Sequence, residues 1–284
     1  MDKLLEETKY LMKKYKIKAN KSLGQNFLID EKVIEDIVDG ANIDNEDLVI
    51  EIGPGLGSMT KLLLEKAKKV ICIELDKKMI KILNDRFIAY HNLEIINDDV
   101  LKLDLNKIIS KEKDNIKNVK IVANLPYYIT TPIIMKLLEE KLDIESITVM
   151  IQKEVADRLI EVPGGKNTGA ITYTVYYYCE SCKIREVENT SFVPMPEVTS
   201  EVIRLNLRSK PAVDVKMPEV MFRMIKAAFM QRRKTLVNAL TNCGAFVDKQ
   251  EGIEILKTVG LKENVRAENL SIEDFGKLAD IIIK

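Results

Sequence analysis

The stretch Leu48-Val49-Ile50-Glu51-Ile52-Gly53-Pro54-Gly55-Leu56-Gly57-Ser58 decides the fold of this chain. A short run rich in Val and Ile stops in three closely spaced glycines, and SMTKLLLEKAKK (58–69) follows with apolar residues at helical spacing. A buried strand turning directly into a helix is the first half of a βαβ unit. Glycines at such a turn let the backbone approach a ligand closely, and the helix N-terminus adds N–H groups without helical partners. Alone, the turn is weak evidence of a ligand. A dinucleotide fingerprint would need a third glycine where Ser58 stands.

Working outward, KVICIEL (69–75), LEIIN (93–97), KIVANL (120–125) and SITVMIQ (146–152) are further short apolar runs separated by amphipathic stretches. That is the rhythm of a doubly wound, mostly parallel sheet. AITYTVYYYC (170–179) and SEVIRLNL (200–207) read as two strands with no helix between them, an antiparallel pair at one edge. The rhythm stops at Arg208-Ser209-Lys210-Pro211. Beyond it PEVMFRMIKAAFMQRRKTLVNAL (218–240) reads as helix, with Gly244 past its end. Ser271 reads as the N-cap of a last helix whose first turn holds Glu273 and Asp274. The expected organisation is a basic helical extension over 1–20, an α/β domain over 21–209 and a small all-helical domain over 210–284.

Composition fits this plan. The 284 residues are 46% hydrophobic and 31% charged, ordinary for a folded protein with one sizeable core and a smaller second one. No apolar run approaches the ~20 residues of a membrane span, and the N-terminal segment lacks the apolar block of a signal peptide. A cytoplasmic protein is expected. Basic and acidic side chains number 44 each, yet residues 1–23 carry a net +4, residues 24–209 a net −7 and residues 210–284 a net +3. A polyanion would therefore meet local basic patches, although lysines on helix faces also serve simply as solvated surface. Cys72, Cys179, Cys182 and Cys243 include one isolated CxxC without a second ligand pair, so neither a metal site nor a disulfide is expected. The single histidine, His91, argues against multi-histidine metal centres and most histidine-dependent triads. Cofactor or carboxylate chemistry is left.

Three strand ends carry candidates for it. The second strand ends in Glu74, either a solvated carboxylate or an acceptor for ribose hydroxyls, and its pairing with the glycine turn favours the second. The third ends in Asn97-Asp98-Asp99-Val100, where an Asp can accept a hydrogen bond from an adenine amine. Adjacent side chains point apart, which disfavours an acid–base dyad there. The fourth ends in Asn124-Leu125-Pro126-Tyr127-Tyr128, the most specific segment of the chain. The Asn124 side-chain oxygen and the carbonyl of Leu125 or Pro126 can accept both hydrogens of an aromatic exocyclic amine and raise its nucleophilicity. Pro126 sets the carbonyl direction beforehand, and Tyr127 offers a face for an extruded base.

With these residues in hand, the chain resembles the ribosomal RNA adenine N6,N6-dimethyltransferase family, in its small-subunit (16S-type) branch. The resemblance runs from Lys18 to about Leu240 through Ser22-Leu23-Gly24-Gln25-Asn26-Phe27-Leu28, VIEIGPGLGSMT, NDDVL, NLPYYITTPI, MIQKEVADRL, SFVPMPEVTSEV and FMQRRKTLVNAL. It implies a Rossmann-like, seven-stranded S-adenosylmethionine-dependent methyltransferase fold with a C-terminal helical domain. It implies cofactor binding by Asn26, Leu28, Gly53, Gly55, Glu74, Asp99 and Asn124, and catalysis at Asn124, Leu125, Pro126 and Tyr127. RNA contacts are expected from Arg232, Arg233 and Lys234, from Phe192 and from the N-terminal lysines. The expected substrate is two adjacent adenines in the 3′-terminal hairpin loop of 16S rRNA, within a partly assembled 30S subunit, acted on by a monomer. Asp98-Asp99-Val100-Leu101 stands where the family usually reads Gly-Asp-Ala-Leu, and Met195 and Glu197 stand where basic residues are frequent.

Three other functions compete. A large-subunit rRNA dimethyltransferase conferring macrolide resistance would read Asn-Ile-Pro-Tyr-Asn at the catalytic turn and lack the FMQRRKTL segment. A ribosome-assembly factor with incidental catalysis would not need Asn124 and Tyr127 intact. A nicotinamide-dependent dehydrogenase is disfavoured by Ser58 and by the lack of a suitable histidine.

Overall fold

The computed structural model describes residues 3–20 and 23–282; Lys21 and Ser22, which belong to the basic N-terminal segment and to the Ser22–Leu28 block, lie outside the described residues. Seven strands form the central sheet: β1 (Leu48–Ile52), β2 (Lys69–Glu74), β3 (Leu93–Asn97), β4 (Val119–Asn124), β5 (Ser146–Gln152), β6 (Cys179–Val187) and β7 (Ser200–Leu207). Their order is β3-β2-β1-β4-β5-β7-β6. β1 to β5 run parallel, and β7 returns antiparallel to β5 from Ser146 opposite Asn206 to Gln152 opposite Ser200. All five residues of β1 are buried, as a central strand covered on both faces requires. The order reverses between β1 and β4, so the crevice beyond their carboxyl ends is the topological switch point where open α/β sheets take ligands.

The chain divides into two compact units, one running to Ala156 and including Ser181–Leu207, the other made of Asp157–Glu180 with the chain from Arg208 onward. The helical unit therefore takes in a segment that the sequence reading placed in the α/β domain. That segment holds a correction: Ala170–Tyr178 is an α-helix, not a strand. Its Val, Thr and Tyr residues have strand propensity, but burial overrides it. Tyr173 packs edge-on against Phe275 and its hydroxyl donates to the carbonyls of Ala267 and Leu270 at 3.0 and 2.7 Å, while Tyr177 packs edge-on against Phe222. The strand beside β7 is instead β6, whose charged, largely exposed sequence CESCKIREV suits a sheet edge.

Residues 218–240 are also not one helix. Pro218–Met230 and Leu236–Asn242 are separate helices, and Gln231-Arg232-Arg233-Lys234 forms the turn between them, closed by the Lys234 N–H on the Gln231 carbonyl at 2.8 Å. The break turns Val237 and Leu240 into the same core as Met221, Met224 and Ile225, which one straight helix could not do. The last helix, Ile272–Ile282, starts as expected: Ser271 Oγ accepts from the Asp274 N–H at 3.1 Å, and Asp274 accepts from the Ser271 N–H at 3.0 Å. At the other end of the chain, Lys3–Lys14 is a helix that buries Leu4, Thr8 and Leu11.

Candidate active site

One cavity opens at the switch point. It is lined by Glu51 to Leu56, Ser58 and Met59 of the glycine turn, by Glu74 and Leu75 at the end of β2, by Asp98 to Val100 after β3, by Asn124 to Ile129 from the end of β4, by Leu23 to Leu28, and by Phe192. Parallel register explains the convergence: Ile52, Ile73 and Ala123 are ladder neighbours, so the residues that follow each strand emerge on the same rim. His91 is exposed just before β3, at the opposite end of the sheet. Among the described residues no group of three or more His, Cys, Asp or Glu side chains is placed to hold a metal ion.

The glycine turn supplies space. Gly53 has φ +68°, and a side chain there would project into the gap between the ends of β1 and β4, meeting only the Asn124 carbonyl at 4.0 Å. Glu74 is buried with both oxygens engaged, Oε1 by the Asp76 N–H at 2.9 Å and Oε2 by the Gly55 N–H at 3.1 Å. Burial raises its pKa, and the N–H groups of Asp76, Gly55 and Leu75 oppose that rise. Each carboxylate oxygen keeps a second lone pair for a ligand hydroxyl.

Glu51, part of the glycine motif but without a role in the sequence reading, is 1% exposed. Its Oε2 accepts from Thr60 Oγ1 at 2.6 Å and from Cys72 Sγ at 3.4 Å, while Oε1 is buried without a partner. Burial pushes its pKa up to about 7. An acceptor left bare in a ligand cavity fits a cationic ligand group such as the ammonium of an amino acid. With Glu74 for a ribose and the open Gly53 turn, the lining fits S-adenosylmethionine.

Asp98 and Asp99 both reach the cavity wall. Asp98 is exposed and accepts from the Asp99 N–H at 2.7 Å; Asp99 is half-buried and accepts from the Leu101 N–H at 3.0 Å, with Lys102 Nζ 3.8 Å from its other oxygen.

At the catalytic turn, the Asn124 amide donates to the Asn26 carbonyl at 3.4 Å, leaving its oxygen as the acceptor. The Pro126 carbonyl already takes the Ile129 N–H at 3.2 Å and the Thr130 hydroxyl at 3.1 Å. Of the two carbonyls the sequence allowed, the Pro126 one is thus occupied, and the Leu125 N–H is held by the Met150 carbonyl at 3.1 Å. Tyr127 is half-buried with its hydroxyl 2.6 Å from Ser200 Oγ, and burial raises its pKa. Tyr128 is 56% exposed at the mouth.

A strap from Leu23 to Leu28 covers this turn. Gly24 has φ +60°, and a Cβ there would lie 3.2 Å from the Pro126 side chain and 3.3 Å from the Tyr128 ring, so only glycine seats the strap so closely. Phe27 and Leu28 pair antiparallel with Val193 and Phe192. Phe192 is buried at 3% exposure and lines the cavity, so it can touch only what enters the cavity and not an RNA surface outside it.

The chain matches the family described as Ribosomal RNA adenine dimethylase over residues 16–284. The chain belongs to that family. Within it, the Ribosomal RNA small subunit methyltransferase A of Alkaliphilus oremlandii is 48% identical over 98% of this chain and 97% of that protein. The protein of the same name from Clostridioides difficile is 46% identical over 99% and 98%. A dimethyladenosine transferase from Plasmodium falciparum superposes with a TM-score of 0.73 at 27% identity, covering 89% of this chain and 95% of that one. The 23S rRNA methyltransferase ErmE shares the fold, with a TM-score of 0.70 at 24% identity over 91% and 100%. As a dimethylase of this family the chain is an S-adenosylmethionine-dependent enzyme that methylates adenine in ribosomal RNA.

In the helical unit, the three basic residues that the sequence placed along a helix stand together in the turn after Met230. All three are exposed, and Arg232 pairs with Glu268 at 2.8 Å.

Proposed function

We propose that this chain dimethylates N6 of two adjacent adenines in the 3′-terminal hairpin loop of 16S rRNA, acting as a cytoplasmic monomer on a partly assembled 30S subunit. The observation that supports this most directly is near-complete coverage by relatives named for the small subunit, combined with Asn124 and Leu125 at the switch point. Residues 21–209 are assigned the cofactor and the chemistry, and residues 210–284 the grip on RNA. Asn26, Leu28, Gly53, Gly55, Glu74 and Asp99 are assigned to the cofactor, with Glu51 added beside its amino-acid end.

When bound, S-adenosylmethionine supplies an activated methyl group, which leaves the protein the task of alignment. The Asn124 side-chain oxygen and the Leu125 carbonyl accept the two N6 hydrogens and localise the nitrogen lone pair. Tyr127 and Phe192 offer faces to the extruded base. The methylated ammonium is acidic and loses its proton to water, which suits a site with no histidine. After one methyl transfer the amine keeps one hydrogen, and the site must accept a methyl in place of one hydrogen bond.

Mass spectrometry of adenine nucleosides tests the proposal, after incubation with cofactor and unmethylated 30S particles in one arm and free 23S rRNA in another. Dimethyladenosine confined to the 30S arm is expected. Modification of 23S rRNA alone would overturn the substrate assignment.

A further inference from the structure

Gln25 lies between two residues of the cavity strap, and its side chain is engaged at both ends. Oε1 accepts from the Asn20 N–H at 2.9 Å, and Nε2 donates to Asp76 Oδ2 at 3.0 Å, a residue 51 positions away. Asp76 uses its other oxygen to cap the helix Lys77–Arg86, accepting from the Lys78 N–H at 2.9 Å. The Asp76 N–H in turn donates to Glu74 Oε1, whose second oxygen holds the Gly55 N–H. Hydrogen bonds thus run without a break from Asn20 through Gln25, Asp76 and Glu74 to Gly55.

Apolar packing follows the same line. Leu11, Ile17 and Phe27 from the N-terminal segment form one buried cluster with Leu56 of the glycine turn and with Met79 and Ile82 of the helix that Asp76 caps. Strap, glycine turn and the Asp76-capped helix are thus joined by packing as well as by hydrogen bonds. The position demands an amide. Only a side chain with an acceptor and a donor on one carbon can bond Asn20 and Asp76 together, and a carboxylate there would face the Asp76 carboxylate.

We propose that Gln25 is a positioning residue that couples the placement of the strap Leu23–Leu28 to the orientation of Glu74, so that cofactor and strap stabilise one another. The proposal rests on the reading that Glu74 holds the cofactor's ribose. Linkage makes the effect reciprocal: whatever affinity the cofactor gains from the fastened strap, the strap gains in order from bound cofactor.

Calorimetry with S-adenosylhomocysteine, together with amide hydrogen exchange over residues 23–28 with and without it, tests the coupling on the full chain. Wild type is expected to bind the ligand and to gain protection in that segment. Gln25→Ala should lose about tenfold in affinity, the effect of one hydrogen bond to a charged group, and lose the ligand-dependent protection. Gln25→Glu should bind more weakly still. Combining Gln25→Glu with Asp76→Asn exchanges donor and acceptor and should restore affinity to within about threefold of wild type, a rescue that bulk packing at this position would not produce. Unchanged affinity and protection in Gln25→Ala, or a double variant no better than Gln25→Glu alone, overturns the coupling. Unchanged affinity in Glu74→Ala overturns instead the ribose reading beneath it, and with it the proposal.

Discussion

The Tyr127 hydroxyl lies 2.6 Å from Ser200 Oγ and so pins the aromatic ring of the catalytic turn to the first residue of β7, 73 positions along the chain. The ring is thereby held at its far end where it lines the cavity; in the proposed function it receives the extruded base. Removing either hydroxyl loosens the ring without removing the face. Tyr127→Phe and Ser200→Ala should each lower kcat by ~2–10-fold, the effect of one neutral hydrogen bond. Their double variant should be no worse than either single one, because both delete the same bond. Tyr127→Ala should lose ~10²-fold through lost stacking. Additive single losses would show that the bond does not position the ring.

In the proposed function Asn124 bears on the amine itself. Asn124→Ala should lower the single-turnover methylation rate by ~10²–10³ at saturating RNA while leaving RNA affinity nearly intact, as for loss of one positioned polar group at a reacting atom. Methylation at the wild-type rate would remove Asn124 from the chemistry.

Glu51 makes the free protein sensitive to pH. Its folded-state pKa of about 7 lies above the ordinary carboxyl value of 4.5, so the folded chain holds a proton that the unfolded chain releases between those values. Its contribution to stability is therefore fully present below about pH 4.5 and is lost as pH rises through about 7, by on the order of 3 kcal/mol. Glu51→Gln, neutral throughout, should gain stability over wild type as pH rises from 5 to 8. A bound ammonium group reverses the preference, so S-adenosylhomocysteine should bind wild type more tightly as pH rises over the same range and should bind Glu51→Gln weakly at every pH. Thermal unfolding curves for the two proteins that stay parallel across that range would refute the assignment.

The turn after Met230 separates two kinds of arginine. All three basic residues are exposed, but the Arg232 charge is already paired with Glu268. Each phosphate contact contributes about one unit to the slope of log affinity against log salt. Arg233→Ala and Lys234→Ala should each reduce that slope by about one on 16S rRNA fragments, and Arg232→Ala should leave it nearly unchanged. A wild-type slope in an Arg233→Ala/Lys234→Ala double variant would place the RNA elsewhere.

What the sequence by itself determined is local or periodic. Five parallel strands declared themselves as short apolar runs, four of them because burial on both faces leaves no alternating pattern and the fifth, Leu93–Asn97, as a partly exposed edge strand, and their boundaries hold to within a residue or two. Gly53, Glu74, Asp99 and Asn124 could be placed on one cavity rim from the sequence because each stands at or just past the end of a parallel strand, and parallel register brings those ends together. The Ser271 cap was legible for the same reason, since its partner Asp274 lies three residues away. Tertiary structure alone decided what depends on distant neighbours. Ala170–Tyr178 became a helix because its tyrosines found a core more than 40 residues further on. The helix over 218–240 broke because both halves had to face one core. The bare oxygen of Glu51, the Tyr127–Ser200 bond and the Gln25–Asp76 bond arise between side chains brought together only by the folded sheet. A hydrogen bond across 51 or 73 residues leaves no period in the sequence, because its partners are set by three-dimensional register and not by spacing along the chain.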